Sequence, residues 1–387
     1  MEVLYITKTS PLSDGGGGEK RAREVTKRLA ARGHEVTILC GKTDAGLPTR
    51  TRHNGCTIRH VTCIPDALFR FPAFSFFATR YLFALLSIPA LVGRLQSDQP
   101  DVIVENMTPY PTLTVLFANL MGIPIVAVQH EFYDRSCYKT YGPVTATIQL
   151  TVQNFLRIFR YTAIIVPTTY VKAELAAYGV AEHRITVVPN GIEWERYQRD
   201  ADSDKTTLVT VGRLSKRKGQ AEVLRAFAAV RADHADASLE VLGDGPARER
   251  LERLADDLGV GDAVTFHGYV DEEEKITRLN RASVFVFGST QEGFGLVLLE
   301  AMAAGVPVVA RRLPVYVDFF TDGRNGHLVD EPVVSNLARA VGDLLADESK
   351  RDTIGDRNRR DAADYDWNRT AEETAAVVES IETQVRV

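Results

Sequence analysis

Four charged residues stand where they could handle a phosphorylated ligand. In VGRLSKRKG, Arg213 follows an apolar run and Lys218 comes just before the next helical pattern, so both cations fall at the carboxyl edge of a strand. That edge is where open α/β sheets bind diphosphates, and a basic pair there can neutralise a leaving group in place of a metal. In STQEGFGLVLLEAMAAGVPVV, Glu292 lies in a loop, Gly293 and Gly295 free the backbone around Phe294, a helix is expected from Leu296, and Glu300 falls inside it. A carboxylate buried without a partner is costly. Glu300 therefore needs either a capping or pairing partner or the hydroxyls of a ligand, such as those of a ribose.

Gly15 to Gly18 separate the first apolar run from the first helical pattern. There a bare backbone can approach a ligand and the helix N-terminus favours an anion, although a surface turn would have the same composition. The run is not G-x-G-x-x-G, and no acidic residue closes HEVTILC to hold a ribose, which argues against a dinucleotide dehydrogenase. His130 ends the run IPIVAVQH; a lone histidine at a strand end is more often structural than catalytic. The four cysteines show no C-x-x-C pair and no histidine at ligand spacing, so neither a metal nor a disulfide framework is expected.

These residues must be positioned by alternating β-branched runs and amphipathic stretches, the pattern of repeated βα units around a parallel sheet. The pattern occurs twice in 387 residues. In the first half EVLYIT, HEVTILC, DVIVEN, IPIVAVQH and TAIIVPT read as strands; in the second, TTLVTVG, ASLEVLG, VTFHG, SVFVFG and VPVVA do. The expected fold class is α/β, two Rossmann-like doubly wound domains facing each other across a cleft. The expected boundaries are 1–190, a linker over 191–205, a second domain over 206–365, and a final helix over 366–387 returning toward the first domain.

The formal charge of -5 argues against a surface built for nucleic acid. The charge is unevenly placed: residues 1–190 carry a balance of +6 and the remainder -11. The start, MEVLYITKTS, lacks the regions of a signal peptide, which points to a cytoplasmic location. The charge-free run from Tyr81 to Gly93 is interrupted by Pro89 and is too short to span a bilayer.

Taken in order, GGGGEKRAREVTKRLAARGHEVTIL, VVPNGIEWERY, VGRLSKRKG, LGDGP, FHGYV and EGFGLVLLEAMAAGVPVVA resemble a GT-B fold glycosyltransferase of family 4, retaining and nucleotide-sugar-dependent. The resemblance implies that Arg213 and Lys218 grip the donor diphosphate and that Glu300 binds the ribose hydroxyls. Glu292, with the backbone from Gly293 through Phe294 and Gly295 to Leu296, would hold the donor sugar. It also implies that Gly16 and Gly17 approach the donor phosphates and that His130 lies beside the transferred sugar. The catalytic set would be His130, Glu292, Arg213 and Lys218, with no cofactor and no metal, and with same-face attack assisted by the leaving diphosphate. One segment departs from the family: RRLPVYVDFFTDG places Pro314 and Val315 where a glycine pair is usual and Asp318 where a Glu is usual.

Two stretches contain no acid, from Ala67 to Ser97 and from Arg135 to Ala173. The first joins Arg70, Arg80 and Arg94 to seven aromatics, among them Phe74, Phe77, Tyr81 and Phe83. Such a mixture suits contact with an anionic membrane surface, and a buried aromatic helix would read similarly. The expected partners are thus a nucleotide sugar, a lipid-linked or glycan acceptor and an anionic membrane at its cytoplasmic face, with no nucleic acid. The alternatives are a non-hydrolysing nucleotide-sugar 2-epimerase, which would turn over without an acceptor, and a catalytically silent nucleotide-sugar-binding partner subunit.

Overall fold

The computed structural model describes residues 1–13, 15–42, 44–62, 83–97, 99–106, 113–138, 142–198, 204 and 206–385. They fall into two compact units, Met1–Gly191 with Trp367–Val387, and Ile192–Asp366.

The first unit is built on β1 (Glu2–Thr9), β2 (Glu35–Gly41), β3 (Arg50–His53), β4 (Cys56–Val61), β5 (Val102–Asn106), β6 (Ile125–Val128), β7 (Ala163–Val166) and β8 (Ile185–Val187). They form one sheet in the order β3-β4-β2-β1-β5-β6-β7-β8. Every neighbouring pair is parallel except β3 with β4. Its helices are α1 (Gly17–Ala31), α2 (Phe83–Ser97), α3 (Thr114–Met121), α4 (Pro143–Ile158) and α5 (Thr169–Ala177). In β1, Leu4 and Ile6 join one apolar cluster while Val3 and Tyr5 join another. Both faces of the sheet are therefore covered, which is why its strands read as unbroken apolar runs. The β3–β4 hairpin was not among the expected strands. It turns at Asn54 (φ 48°) and Gly55 (φ 78°), both in the left-handed region that a two-residue hairpin turn requires.

The second unit holds β9 (Thr207–Val211), β10 (Ser238–Leu242), β11 (Val264–Gly268), β12 (Val284–Phe287), β13 (Val308–Arg311) and β14 (Gly326–Val329). All neighbours are parallel, in the order β11-β10-β9-β12-β13-β14. Around it lie α6 (Gln220–Asp233), α7 (Arg248–Asp257), α8 (Glu272–Arg281), α9 (Leu296–Ala303), α10 (Val333–Leu345) and α11 (Glu348–Ala362). Strand order reverses between β1 and β5 in the first sheet and between β9 and β12 in the second. Such reversals open a crevice at the carboxyl ends of the strands, and ligands of open α/β sheets bind there.

The last helix, α12 (Trp367–Val385), belongs to the first unit. Its Ala375, Val378 and Ile381 share a core with Val25 and Leu29 of α1, and Arg28 Nε donates to Asn368 Oδ1 at 2.8 Å.

Two expectations need correction. Residues 192–197, expected as part of a linker, pack into the second unit: Ile192 bridges to Asp366, Trp194 Nε1 donates to the Arg359 carbonyl at 2.9 Å, and Tyr197 is buried. The polar residues after Gln198 set the linker composition, whereas these aromatic side chains gain by burial. Phe83, counted with the membrane-facing aromatics, is likewise buried on α2, and Leu91 joins it in the core. The other surface candidates, Arg70, Phe74, Phe77, Arg80 and Tyr81, lie outside the described residues; Arg94 lies on α2, and its side chain is outside them. Among the described residues no helix is long and apolar enough to cross a membrane.

Candidate functional site

At the β9/β12 reversal two loops are joined backbone to backbone. Gly219 caps α6 at φ 69°, and a Cβ there would lie 2.0 Å from the Gly288 carbonyl oxygen; a Cβ on Gly288 would lie 2.5 Å from that of Gly219. Only glycine allows both the left-handed conformation and the approach. The contact is reinforced by the Arg217 carbonyl, which accepts from Thr290 N at 2.9 Å and from Ser289 Oγ at 3.3 Å.

This junction brings together residues 74 apart in sequence: Lys218 Nζ lies 2.6 Å from Glu292 Oε1. Both side chains are mostly buried, and the ammonium also sits 5.4 Å from the centre of the Phe287 ring. Arg213, on the same β9–α6 connection, is exposed, and its carbonyl accepts from Gln220 Nε2 at 3.2 Å. Gly295, at φ 97°, caps α9, whose N-terminus follows Glu292 by one short loop. The loop's Phe294 turns its ring into the core, 5.0 Å from that of Phe319.

Glu300, on α9, is buried and has a partner that sequence reasoning missed. Lys275 Nζ of α8 lies 2.8 Å from Glu300 Oε2 and 3.0 Å from Glu272 Oε2, and Tyr197 donates to Glu272 Oε1 at 3.1 Å. Lys275 follows three glutamates in EEEK, a run that reads as a solvated helix face. Burial, then the Glu300 and Glu272 carboxylates, hold the Tyr197 phenol well above its ordinary value, so it stays a donor.

At the β1/β5 reversal the polar groups are of another kind. Gly16 precedes α1 and Gly17 begins it. A Cβ on Gly18 would lie 3.1 Å from His130 Nε2, so the helix start rests against the imidazole. His130 Nε2 is 2.6 Å from Asn106 Oδ1, while Asn106 Nδ2 is 3.4 Å from both Thr7 Oγ1 and the Gly18 carbonyl. Since an amide oxygen only accepts, Nε2 carries the proton. Burial, with Arg21 next, pushes the imidazole down to about 3, and His130 is neutral at physiological pH. Burial alone would raise the Glu19 carboxyl, but Lys8, 3.2 Å away, holds it below its ordinary value. Asn106 was also missed; its signal was a polar residue closing the apolar strand DVIVEN beside the reversal.

The two halves match two family models that meet end to end. Residues 15–196 match Glycosyltransferase Family 4, and residues 192–361 match Glycosyl transferases group 1. The chain belongs to glycosyltransferase family 4. It is similar to a GDP-mannose-dependent alpha-(1-6)-phosphatidylinositol monomannoside mannosyltransferase of Mycolicibacterium smegmatis, 36% identical over 46% of this chain and 52% of the relative, about half its length. Among solved structures it is similar to sucrose-phosphate synthase from Thermosynechococcus elongatus, with TM-score 0.83, 22% identity and 99% of each chain covered. It is also similar to Anabaena HepE in complex with UDP-glucose, with TM-score 0.77, 18% identity, and 98% of this chain and 100% of that one covered. The fold is thus the two-domain, Rossmann-like GT-B fold.

Proposed function

We propose that this glycosyltransferase moves a sugar, with retention at the anomeric carbon and without a metal, from a nucleoside-diphosphate sugar to a hydroxyl of a lipid-linked or glycan acceptor at the cytoplasmic membrane face. The observation that carries the reading is the Lys218–Glu292 pair at the β9/β12 reversal, with Arg213 on the same connection. Breaking the anomeric bond builds negative charge on the diphosphate. Lys218, Arg213 and the N-termini of α6 and α9 stabilise that charge as it grows. Glu292 and the Gly293–Leu296 backbone hold the sugar, Glu300 takes the ribose hydroxyls, and Gly16 and Gly17 approach the phosphates. The neutral imidazole of His130 can then lie beside the reacting carbon without adding a cation there.

A nucleotide-sugar donor is supported by the UDP-glucose bound to HepE, and a lipid acceptor by the phosphatidylinositol mannoside named for the mycobacterial relative. A membrane surface is supported by the +6 balance of residues 1–190 and by exposed Leu120, Val144 and Ile158 in the first unit, with the exposed Arg160 bonded to Asn119 next to Leu120. The test is turnover of nucleotide sugars with and without EDTA, the product anomer read by NMR, alongside flotation on neutral and anionic liposomes. An inverted product or loss of activity on chelation overturns the mechanism. Recovery in the soluble fraction with every lipid overturns the membrane assignment.

A further inference from the structure

The segment that departs from the family places a tyrosine against the donor loop. Pro314–Tyr316 form one 3-10 turn, and the Tyr316 ring is wholly buried, edge-on to Phe319 at 5.9 Å. Its Cε1 would lie 2.6 Å from a Cβ on Gly295, three residues after Glu292. Among the described residues its hydroxyl has no hydrogen-bond partner. A buried hydroxyl left unpartnered destabilises a fold, so one kept beside a ligand loop calls for a role. Burial, then the charge of the Glu292 carboxylate, holds the phenol well above its ordinary value, so it keeps its proton to donate.

Glu292 is the group in need of a donor. In the resting structure its Oε1 is taken by Lys218. When Lys218 turns to a diphosphate, as the proposed function requires, that partner is withdrawn and a mostly buried carboxylate loses its compensation. We propose that Tyr316 is the positioning residue that takes over, its hydroxyl donating to Glu292 once Lys218 engages the diphosphate, so that the carboxylate stays aimed at the donor sugar. The inference rests on the nucleotide-sugar reading and adds to it a relay in which one buried donor replaces another. The unusual RRLPVYVD sequence then supplies this donor from the α9 side of the loop.

The experiment is calorimetry with UDP, GDP, UDP-glucose and GDP-mannose on the full chain, for wild type, Tyr316→Phe, Glu292→Gln and the double variant, with thermal melts of each. The expected result is that Tyr316→Phe melts no lower than wild type and binds UDP or GDP more weakly, because either diphosphate draws Lys218 away from Glu292. Its binding of the preferred nucleotide sugar should be about tenfold weaker, the scale of one hydrogen bond to a charged group. In the Glu292→Gln background the same change should have no further effect. Unchanged nucleotide-sugar affinity in Tyr316→Phe overturns the relay and leaves the function standing, as does a tenfold loss that persists in the Glu292→Gln background. A lower melting temperature for Tyr316→Phe without ligand, or UDP and GDP binding equal to wild type, would also overturn it. A wild type that binds none of the four overturns the donor reading itself.

Discussion

At the β9/β12 reversal the candidate site side chains are charged and already paired, Lys218 with Glu292 and Lys275 with Glu300. At the β1/β5 reversal His130 is neutral and bonded to the amide of Asn106. Under the proposed function the first arrangement suits a ligand that brings its own charge, because an arriving diphosphate would exchange one anion for another at Lys218. The second suits closeness to a reacting carbon, where a fixed cation would oppose developing positive charge. The two also differ in how they are held. The Lys218–Glu292 pair depends on a backbone contact between two glycines, and the His130–Asn106 pair on side chains at adjacent strand ends.

That contrast breaks most sharply at Gly219. Gly219→Ala imposes a left-handed φ on a residue with a Cβ and drives that atom into the Gly288 carbonyl. A stability loss of about 3 kcal/mol or more is expected in chemical denaturation, with catalysis lost alongside it. Wild-type stability would mean that the two loops are not locked together.

Lys218→Ala and Arg213→Ala test the charged site without touching its backbone. Each should remove about 2.7 to 4 kcal/mol of transition-state stabilisation, or roughly 100- to 1,000-fold in kcat. Near-normal turnover in both would remove the diphosphate clamp from the mechanism. A smaller effect, about tenfold in nucleotide affinity, is expected for Glu300→Gln and for Lys275→Met, since each leaves the α8–α9 pair with one ionic partner fewer. If Lys275→Met binds nucleotide like wild type, Lys275 is a surface pairing residue and only Glu300 belongs to the site.

The neutral site has its own signature in acid. The folded imidazole of His130 is held at about 3 against an ordinary value of 6.5, so the unfolded chain takes up a proton first as pH falls. Its contribution to stability is complete above about 6.5 and is lost progressively down to about 3. Glu19, whose carboxyl is also held low, adds a loss of the same sign in the carboxylate range. His130→Gln should flatten the decline in unfolding free energy between pH 6.5 and pH 4; an unchanged slope would show that His130 is protonated in the fold.

Most of the strands, and the starts of α6, α7 and α9, can be read from the chain because an apolar run in a parallel sheet and a glycine before a helix are local signals. The β3–β4 hairpin is equally local, in Asn54-Gly55, but its strand Arg50–His53 is polar and lacks the apolar pattern of the others. Arg213, Lys218, Glu292 and Glu300 stand out because glycines and apolar runs frame them. The partners of His130 and Glu300 do not: Asn106 and Lys275 lie 24 and 25 positions away from them.

By itself the sequence determined the two-fold βα repeat, the placing of cations at the end of β9 and of a carboxylate ahead of α9, and the family, because periodicity and glycine placement are properties of neighbouring residues. The tertiary structure alone decided which charges are compensated, that His130 is neutral and that the Tyr316 hydroxyl is buried without a partner among the described residues. Those outcomes depend on desolvation and on distances of a few ångströms between segments far apart in the chain, and no local pattern encodes them.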